Sequence, residues 1–467
     1  MTPNKILSYA IGPIGASILG FIILPIMTWF YSVEDIGRVS MLQIVVSFSI
    51  LLFCLGLDQA YVREYHENEK KPKLFKTVLF PGFILSLAFF SAVLIFDSHI
   101  ISKWLYDIPS TYLTFISVIC FLLSLVSRFL SLILRMEERA LAYSMSQLLP
   151  KILFLIFILS TVYLGLNRDA YNLITAHTLS ITAVFSVFAW NTRKEWLSAF
   201  KYKIDIKELN NLLVFGLPLV IGGLASWGLS VMDRVFLRGM STFSELGVYS
   251  VAASIAGVAA IFSGIFNTIW APMVYKWVNE GVDLTKIDEV SEYLLATIYF
   301  VIVLSGLFSW VLPYFLPEEY SNIQFLISAC LLGPLFYTLS ETTAVGIAIT
   351  RKSSLSMWAS IGAMLANALG NYYLVPKLGA IGAAVSTAIS FWIFYIIRTE
   401  LSRIVWRKMP RAKTYIIMTM LLFMTILDST FLKQSYVALI IWFILMLFGF
   451  VAFRFPIKMF YYKVIKL

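Results

Sequence analysis

The stretch from residue 6 to residue 40 reads ILSYAIGPIGASILGFIILPIMTWFYSVEDIGRVS. Its first part, Ile6–Phe30, carries no charge and is long enough to cross a bilayer core as a helix, which takes roughly 20 apolar residues. Its last part, Asp35–Ser40, has the order acidic, apolar, Gly, any, any, Ser. The same order returns about 210 residues later in ELGVYS, Glu245–Ser250, and Pro13 returns about 205 residues later as Pro218. This repetition predicts a membrane protein built from two similar halves.

The composition of the whole chain also indicates a membrane protein. Of its 467 residues, 60% are hydrophobic and 13% are charged, whereas soluble domains have roughly 45–50% apolar and 25% charged residues. Cys54, Cys120 and Cys330 all lie within apolar segments, so they predict neither a disulfide framework nor a metal site. The first span is too long and too rich in Gly and Pro for a cleaved signal peptide, so we expect it to remain a membrane helix.

Apolar segments that approach the length of a bilayer crossing recur along the chain. Backbone groups in hydrocarbon must bond within their own segment, and the alternating pattern of barrel strands is absent, so helices are expected. We predict an all-α polytopic protein with about fourteen transmembrane helices: Ile6–Phe30, Val39–Tyr61, Thr77–Phe96, Thr111–Leu134, Ala142–Leu164, Leu173–Trp190, Leu212–Phe236, Val248–Trp270, Tyr293–Leu316, Ile323–Ile349, Leu355–Val375, Ala380–Ile397, Tyr415–Leu432 and Val437–Phe453.

The distribution of Lys and Arg among the loops predicts the orientation of the chain. If the amino terminus is cytoplasmic, about 27 of the 36 basic residues fall on the cytoplasmic side and about six on the outer side. Both termini are therefore predicted to be cytoplasmic. The net charge of +10 follows from this asymmetry and from attraction to anionic lipid, and it does not indicate a nucleic-acid partner.

The repeat and the basic loops together predict the organisation of the chain. An even number of spans separates the two copies of the motif, so both halves should have the same orientation. We predict an N-lobe of six helices in residues 1–200 and a C-lobe of six helices, with an amphipathic lead-in, in residues 201–400. A basic linker and a helical hairpin follow in residues 401–467. Parallel repeats around a central cavity are a transporter architecture.

Few ionisable residues lie within the predicted spans. Each costs roughly 2.5 kcal/mol or more at the bilayer centre, so such residues usually face protein or water. Arg128 and Arg135 are seven residues apart, and the helical face that they share is expected to point at the interior of the protein. The whole set consists of Arg128, Lys151, Asp233, Arg234 and Glu341, with Asp58, Arg63 and Asp428 near span ends.

Structural explanations compete with functional ones for several of these charges. Asp58 and Arg63 either form a local ion pair that marks the inner helix end or take part in transport. Lys151 lies about six residues into its span, so its ammonium either reaches back to the interface or faces the interior. Asp233 and Arg234 lie about 21 residues, or roughly 31 Å, along their helix, where they would close or brace the two lobes.

Four stretches carry a resemblance to a known family: GLDQAYVREY (56–65), IKELNNLLVFGLPLVIGGL (206–224), VMDRVFLRGMSTFSELGVYSVAASI (231–255) and NALGNYYLVPKLGAIGAAVSTAIS (367–390). Their order resembles that of the polysaccharide transport family, the Wzx-type O-antigen flippases of the multidrug/oligosaccharidyl-lipid/polysaccharide exporter superfamily. The likeness extends from the first span to about Ile397. The hairpin beyond it resembles instead the fourteen-helix lipid II flippases, although Ile6–Phe30 lacks the arginine of their first helix.

The resemblance implies two six-helix lobes in a V shape in the bacterial inner membrane. It implies a flippase that moves a polyprenyl-diphosphate-linked oligosaccharide, such as an O-antigen unit of lipopolysaccharide on undecaprenyl diphosphate, from the cytoplasmic to the outer leaflet. Its partners would be membrane lipids, a polysaccharide polymerase and a chain-length regulator. No cofactor is expected beyond coupling to protons or sodium.

A diphosphate joined to sugars needs fixed cations along its path, and arginine offers a planar fork to phosphate oxygens. The cations available for this role are Arg128, Lys151, Arg63 and Arg234, with Asn367 as a further substrate-binding residue. Additional candidates for sugar contacts are Asn267, Asn371, Tyr372, Tyr249 and Trp270.

Coupling and gating are assigned to three acidic residues, Asp58, Asp233 and Glu341, because intramembrane carboxylates often mark ion pathways. A cation-coupled drug or solute exporter of the same superfamily is the alternative function, and it would favour an acidic, aromatic cavity. The excess of intramembrane cations argues against it. An enzyme is not expected, because the longest outward loop has about fourteen residues and no P-loop or HExxH motif is present.

The predicted orientation can be tested with single cysteines in a variant that lacks the three native ones. We expect cysteines at Lys70 and Lys433 to face opposite compartments, since the positive-inside rule places residue 70 in the cytoplasm and residue 433 outside. An impermeant thiol reagent added to intact cells should label only the cysteine at position 433. Labelling of both positions would contradict the orientation.

Overall fold

The computed structural model describes residues 3–352, 354–456 and 458, with side chains from residue 11 onward. The predicted cytoplasmic termini, residues 1–2 and 459–467, lie outside the described residues, as does the side chain of Lys5. The described residues are overwhelmingly helical and contain no β-strand. The predicted all-α class is confirmed.

The chain divides into two units, residues 1–227 and 228–467, and the boundary falls inside a long helix, α10. The first unit contains α1 (Pro3–Phe30), α2 (Val33–Phe53), α3 (Leu57–Glu64), α4 (Lys71–Phe96), α5 (Ile100–Tyr106), α6 (Thr111–Met136), α7 (Ala140–Tyr163), α8 (Ala170–Asn191), α9 (Arg193–Ala199) and the first part of α10 (Ile206–Met240).

The second unit begins with the remainder of α10. It continues with α11 (Phe243–Ala256), α12 (Val258–Asn279), α13 (Thr285–Phe308), α14 (Ile323–Ile349), α15 (Ser354–Val405), α16 (Ala412–Leu427) and α17 (Tyr436–Ala452). Two short 3₁₀ turns, Ser309–Phe315 and Glu318–Tyr320, join α13 to α14, and one π turn, Asp428–Leu432, ends α16.

The predicted number of membrane helices can be recovered from these elements. Within the described chain, twelve helical segments are long and apolar enough to cross a bilayer. One of them, α15, has 52 residues and a break at Gly379, so it comprises the two spans predicted as Leu355–Val375 and Ala380–Ile397. A further helix, α17, is apolar but has 17 residues. The protein is therefore a multi-pass membrane protein with about fourteen crossing segments.

The repeated motif starts a helix in each unit. In the first unit, the side chain of Ser32 accepts a hydrogen bond of 3.2 Å from the backbone N–H of Asp35, at the start of α2. In the second unit, the side chain of Thr242 accepts the equivalent bond of 3.2 Å from Glu245, at the start of α11. A hydroxyl three residues before an acidic residue satisfies free N–H groups of a first helical turn.

Glu245 has a second role at the break in α15. Gly379 has φ 54° and ψ −130°, a conformation that favours glycine. The N–H of the next residue, Ala380, donates a hydrogen bond of 2.7 Å to the Glu245 carboxylate. This bond satisfies a backbone group that the interrupted helix leaves without a partner.

The C-terminal hairpin is fastened to α13 by a buried polar cluster. Asp428 accepts hydrogen bonds from the indole N–H of Trp442 at 2.8 Å and from the side-chain amide of Gln434 at 3.0 Å. The same amide donates to the carbonyl of Gly306, and a Cβ at Gly306 would overlap the Trp442 ring. Asp428 thus has a structural explanation within the second unit.

The loop before α10 is fixed to the start of α4. Nζ of Lys73 lies 3.1 Å from a carboxylate oxygen of Asp205 and 3.0 Å from one of Glu208. Asp205 also accepts hydrogen bonds from the backbone N–H groups of Glu208 and Lys207, so it caps α10. The Glu208 N–H and the Lys73 ammonium lower the pKa of Asp205.

Gly56 allows the chain to enter α3 at a close contact with α10. Its φ is 70°, in the left-handed region that favours glycine. A Cβ at this position would overlap the carbonyl group of Gly216, and a Cβ on Gly216 would lie 2.8 Å from the carbonyl oxygen of Leu55. Two glycines therefore permit a backbone contact that any side chain would prevent.

We predict that Gly56→Ala destabilises the protein more than Gly165→Ala. Gly165 has a similar φ of 63° but no atom within 4 Å of its Cβ position, so its substitution should cost only the left-handed strain, roughly 1–2 kcal/mol. Gly56→Ala adds the overlap with Gly216, roughly 1–3 kcal/mol more. Thermal unfolding of the purified variants in detergent measures the difference, and equal melting temperatures would contradict the close contact.

Candidate functional site

Arg128 and Asp58 form an ion pair within the first unit. Nη2 of Arg128, in α6, lies 2.8 Å from Oδ2 of Asp58, in the first turn of α3. The free N–H groups of a first helical turn favour a carboxylate at that position. The side-chain amide of Gln59 also donates a hydrogen bond of 3.0 Å to Asp58. The Asp58 side chain is accordingly only 13% exposed.

The ion pair leaves part of the Arg128 guanidinium accessible. The Arg128 side chain is 35% exposed, although its neighbours Leu125, Phe129 and Leu132 on α6 are buried. A guanidinium carries five N–H donors in a planar fork, and the hydrogen bond to Asp58 uses one of them. An anion can therefore approach Arg128 without first displacing Asp58.

The local ion pair considered for Asp58 and Arg63 is not formed in the structure. Nε of Arg63 lies 3.3 Å from Glu64, and its guanidinium lies 4.5 Å from the centre of the Phe215 ring. Residues five apart on an α-helix differ by roughly 140° in direction at 3.6 residues per turn, so Asp58 and Arg63 point to different sides of α3. The Arg63 side chain is 58% exposed.

Lys151 points at α1. Its Nζ donates a hydrogen bond of 2.6 Å to the carbonyl of Ala16, and a Cβ at Gly20 would lie 2.7 Å from the same ammonium. Gly20 thus provides the space that the ammonium occupies between α7 and α1. In this structure Lys151 has a structural partner, and no other charged candidate contacts it among the described residues.

Asp233, Arg234 and Asn367 belong to one polar cluster in the second unit. Asp233 is 3% exposed and accepts hydrogen bonds from the backbone N–H of Arg234 at 2.9 Å and from the hydroxyl of Thr387 at 3.3 Å. The amide of Asn367 donates to the Thr387 oxygen at 3.1 Å. Asn371 is also buried and donates to the side-chain oxygen of Asn367 at 2.9 Å. Residues from α10 and from both segments of α15 therefore meet here.

Arg234 is the cation of this cluster. Its guanidinium lies 5.7 Å from the centre of the Tyr249 ring, on α11. Its Nε is buried and has no hydrogen-bond partner among the described residues. The Nε groups of Arg398, Arg403 and Arg407 are likewise buried without an acceptor in the described part of the chain, so this feature alone does not distinguish Arg234.

Glu341 pairs with Arg398, a residue that the sequence analysis did not single out. The two side chains meet at 2.6 Å, and Arg398 also donates to Ser340 at 2.8 Å. Its guanidinium lies 5.0 Å from the Phe394 ring centre. The only signal in the sequence is that Arg398 directly follows the apolar run Ala380–Ile397, which also suits an ordinary loop residue.

The additional candidates for sugar contacts differ in accessibility. Tyr249 and Trp270 are buried, and the Trp270 indole donates a hydrogen bond to the carbonyl of Glu341. Tyr372 is 55% exposed. Asn267 has a buried side-chain oxygen without a hydrogen-bond partner in the described structure.

The structure therefore separates the candidates into distinct places. Arg128 lies with Asp58 in the first unit, whereas Asp233, Arg234 and Asn367 lie together in the second. Arg63, Lys151 and Glu341 each have different neighbours. In the described part of the chain, no three His, Cys, Asp or Glu side chains are grouped to hold a metal ion.

Comparison with solved structures identifies the fold. The chain is similar to the lipid II flippase MurJ in an inward closed conformation, with 17% identity, a TM-score of 0.69 and coverage of 98% of this chain and 99% of the other. It is also similar to an inward-facing multidrug resistance MATE transporter of the MOP superfamily, with 17% identity, a TM-score of 0.55 and coverage of 83% and 94%. The fold is thus the one shared by these two proteins.

Sequence comparison identifies the family. The chain is 22% identical over 393 residues to protein 1 of the Lsg locus of Haemophilus influenzae, covering 80% of this chain and 93% of the relative. The model of a family described as polysaccharide biosynthesis protein matches residues 4–277, more than half of the chain. This match confirms the predicted resemblance to polysaccharide transport proteins. The chain belongs to the polysaccharide biosynthesis protein family.

Proposed function

We propose that this protein is a flippase that moves a polyprenyl-diphosphate-linked oligosaccharide from the cytoplasmic to the outer leaflet of the bacterial inner membrane by alternating access. Membership in the polysaccharide biosynthesis family supports a saccharide cargo. The fold shared with a lipid II flippase supports movement of a lipid-linked one. The observation that carries the proposal is the accessible guanidinium of Arg128 inside a membrane helix.

A diphosphate that leaves the aqueous headgroup region needs charged donors to replace its water. Arg128 offers several N–H groups beside a carboxylate that already fixes its position. A phosphate oxygen that approaches the guanidinium competes with Asp58 for it. Binding of substrate would therefore weaken the link between α3 and α6, which gives Asp58 its proposed gating role.

The other substrate-binding candidates are assigned lesser parts. Arg63 is exposed and suits a first encounter with an anionic headgroup. Arg234 and Asn367, in the second unit, suit a later contact with phosphate or sugar. Lys151 would have to release the Ala16 carbonyl before it could bind substrate.

Asp233 is the proposed coupling residue. It is buried beside hydroxyl and amide groups, and an intramembrane carboxylate in such a place can take up a proton or a sodium ion. Glu341 is already neutralised by Arg398 in this structure, so it ranks second for coupling. Coupling to either ion would supply the free energy for the return of the empty transporter.

The cellular setting follows from the loop charges and from the family resemblance. Both termini are proposed to be cytoplasmic, and the division into residues 1–200, 201–400 and 401–467 remains a prediction.

The proposed cargo is an O-antigen or related repeat unit on undecaprenyl diphosphate. A polysaccharide polymerase and a chain-length regulator would use the product, and no catalytic activity is proposed for this chain.

A cation-coupled drug or solute exporter is the second candidate. The buried carboxylate of Asp233 favours it, because an acidic site suits a cationic drug, whereas the adjacent guanidinium of Arg234, which lies over the Tyr249 ring, opposes it. The two functions differ in which residue is indispensable. An exporter should need Asp233 and tolerate loss of Arg128, whereas the proposed flippase should need both.

We predict that Arg128→Ala abolishes surface polysaccharide while the protein remains in the membrane. Lipid-linked precursor should accumulate on the cytoplasmic side, because the diphosphate loses the donors that replace its water. Arg128→Lys should retain partial activity, since the charge survives and the fork geometry is lost. Surface polysaccharide and lipid-linked glycans are measured in a deletion strain that carries each variant.

Arg351→Ala is the matched control, because Arg351 is an exposed loop arginine. It should leave surface polysaccharide at the wild-type level. Normal polysaccharide in Arg128→Ala cells would overturn the phosphate-binding role. Loss of the Arg128→Ala protein from the membrane would show instead that the ion pair is mainly structural.

A double-mutant cycle tests the ion pair itself. Asp58→Asn or Arg128→Gln alone should lower the unfolding free energy by roughly 1–3 kcal/mol, between the values for exposed and buried pairs. Together they should lower it by less than the sum, because the second substitution removes a charge that is already unpaired. The control cycle of Asp58→Asn with Arg63→Gln should be additive within roughly 0.5 kcal/mol. Coupling in the control cycle, and none in the first cycle, would favour a local pair between Asp58 and Arg63 instead.

A further inference from the structure

A half-enclosed apolar groove lies in the first unit, apart from the residues discussed above. Its volume is about 280 Å³, and its walls come from α4, α6, α8, α9 and Phe200. The aromatic part of the wall consists of Phe75, Phe80, Phe83, Phe185, Trp196 and Phe200. All lining residues are apolar in type, and only Trp196 carries a polar side-chain atom. Water and sugar would find little to bind in such a groove, so a hydrocarbon chain suits it.

The end of the groove is closed by α9 and the residues after it. The indole N–H of Trp196 donates a hydrogen bond of 2.8 Å to the carbonyl of Ala189, which fixes the ring against α8. The rings of Phe80 and Phe200 meet edge to face at 6.1 Å, as do those of Trp196 and Phe200. The groove is therefore a built feature with fixed aromatic walls.

A cation lies directly on this aromatic end. Nζ of Lys76 lies 5.4 Å from the centre of the Phe80 ring and 5.9 Å from that of Phe200. It donates a hydrogen bond of 2.7 Å to the carbonyl of Tyr202. An ammonium has three donors, so others remain for a ligand at the mouth of the groove.

Further basic side chains lie on and directly after α9, the helix that contributes Trp196 and Ala199 to the groove. Arg193 and Lys194 at the start of α9, and Lys201 and Lys203 after it, are exposed. Nearby Asp205 and Glu208 are already paired with Lys73. Glu195 in the first turn of α9 is acidic, but the basic residues of this segment outnumber it, so the charge is positive on the side of the membrane that the loop charges predict to be cytoplasmic.

We propose that this groove binds an anionic phospholipid of the cytoplasmic leaflet. One acyl chain lies along the aromatic wall, and the phosphate of the headgroup contacts Lys76 and the basic residues around α9. Basic pockets between membrane helices recognise anionic headgroups in this way. The site would tie the transporter to the lipid composition of its leaflet, and it does not depend on the identity of the transported cargo.

Fluorescence quenching tests the proposal on the full-length protein in lipid bilayers. Phospholipids with brominated acyl chains quench tryptophan fluorescence on contact. The contribution of Trp196 is the fluorescence of the wild type minus that of Trp196→Phe. We expect brominated phosphatidylglycerol to quench this contribution at a lower mole fraction than brominated phosphatidylcholine. Lys76→Gln should reduce the preference by roughly fivefold, the effect of about 1 kcal/mol for one basic residue near the surface.

Matched variants separate the headgroup contact from the groove. Lys352→Gln removes an exposed cation of the second unit and should leave the preference unchanged. Ala189→Phe fills the groove and should prevent quenching of Trp196 by both lipids, whereas Val187→Phe, on the same helix but outside the lining, should not. Size-exclusion chromatography confirms that each variant is folded.

Two outcomes would overturn the proposal. Equal quenching of Trp196 by both phospholipids would show that no anionic headgroup is recognised. Displacement of brominated phosphatidylglycerol by a polyprenyl phosphate at a lower mole fraction than by unlabelled phosphatidylglycerol would assign the groove to the tail of a polyprenyl lipid instead.

Discussion

A charged side chain inside a membrane helix is stable only when protein groups replace the water that it loses. This constraint explains the contacts that charged side chains make between helices in both units. Asp58 meets Arg128, Glu341 meets Arg398, and Lys151 donates to a backbone carbonyl. Each contact joins two different helices. The few intramembrane charges therefore determine which helix faces must meet.

The contacts differ in how far they leave the charged groups exposed to solvent. The Glu341–Arg398 pair has side-chain exposures of 21% and 11% and a further hydroxyl partner. The Arg128 side chain is 35% exposed, and Arg234 and Arg398 each have a buried Nε without an acceptor in the described structure. Solvent exposure therefore distinguishes Arg128 from Arg398, whereas such a buried Nε is common to Arg234 and Arg398.

The two copies of the repeated motif start their helices in the same way, but their acidic side chains have different partners. Ser32 and Thr242 cap their helices in the same way. The acidic residue that follows then bonds differently: Asp35 pairs with Arg38 at 2.6 Å, whereas Glu245 accepts the N–H of Ala380 at the break in α15. A helix start depends on adjacent residues, whereas the partner of a side chain depends on the packing around it. Internal symmetry in the sequence is thus compatible with different roles in the two units.

The sequence alone determined the all-α class, the number of membrane crossings and the family, because apolar length, helix caps and motif order are local properties of the chain. It also located the charges that lie within spans. It did not determine their partners. A local pair between Asp58 and Arg63 on α3 was one of two explanations considered, and Arg398 was not singled out. Only the tertiary structure decided that α3 turns Asp58 toward α6 and that the end of α15 lies against Glu341, because such contacts depend on helix rotation and on which faces pack together.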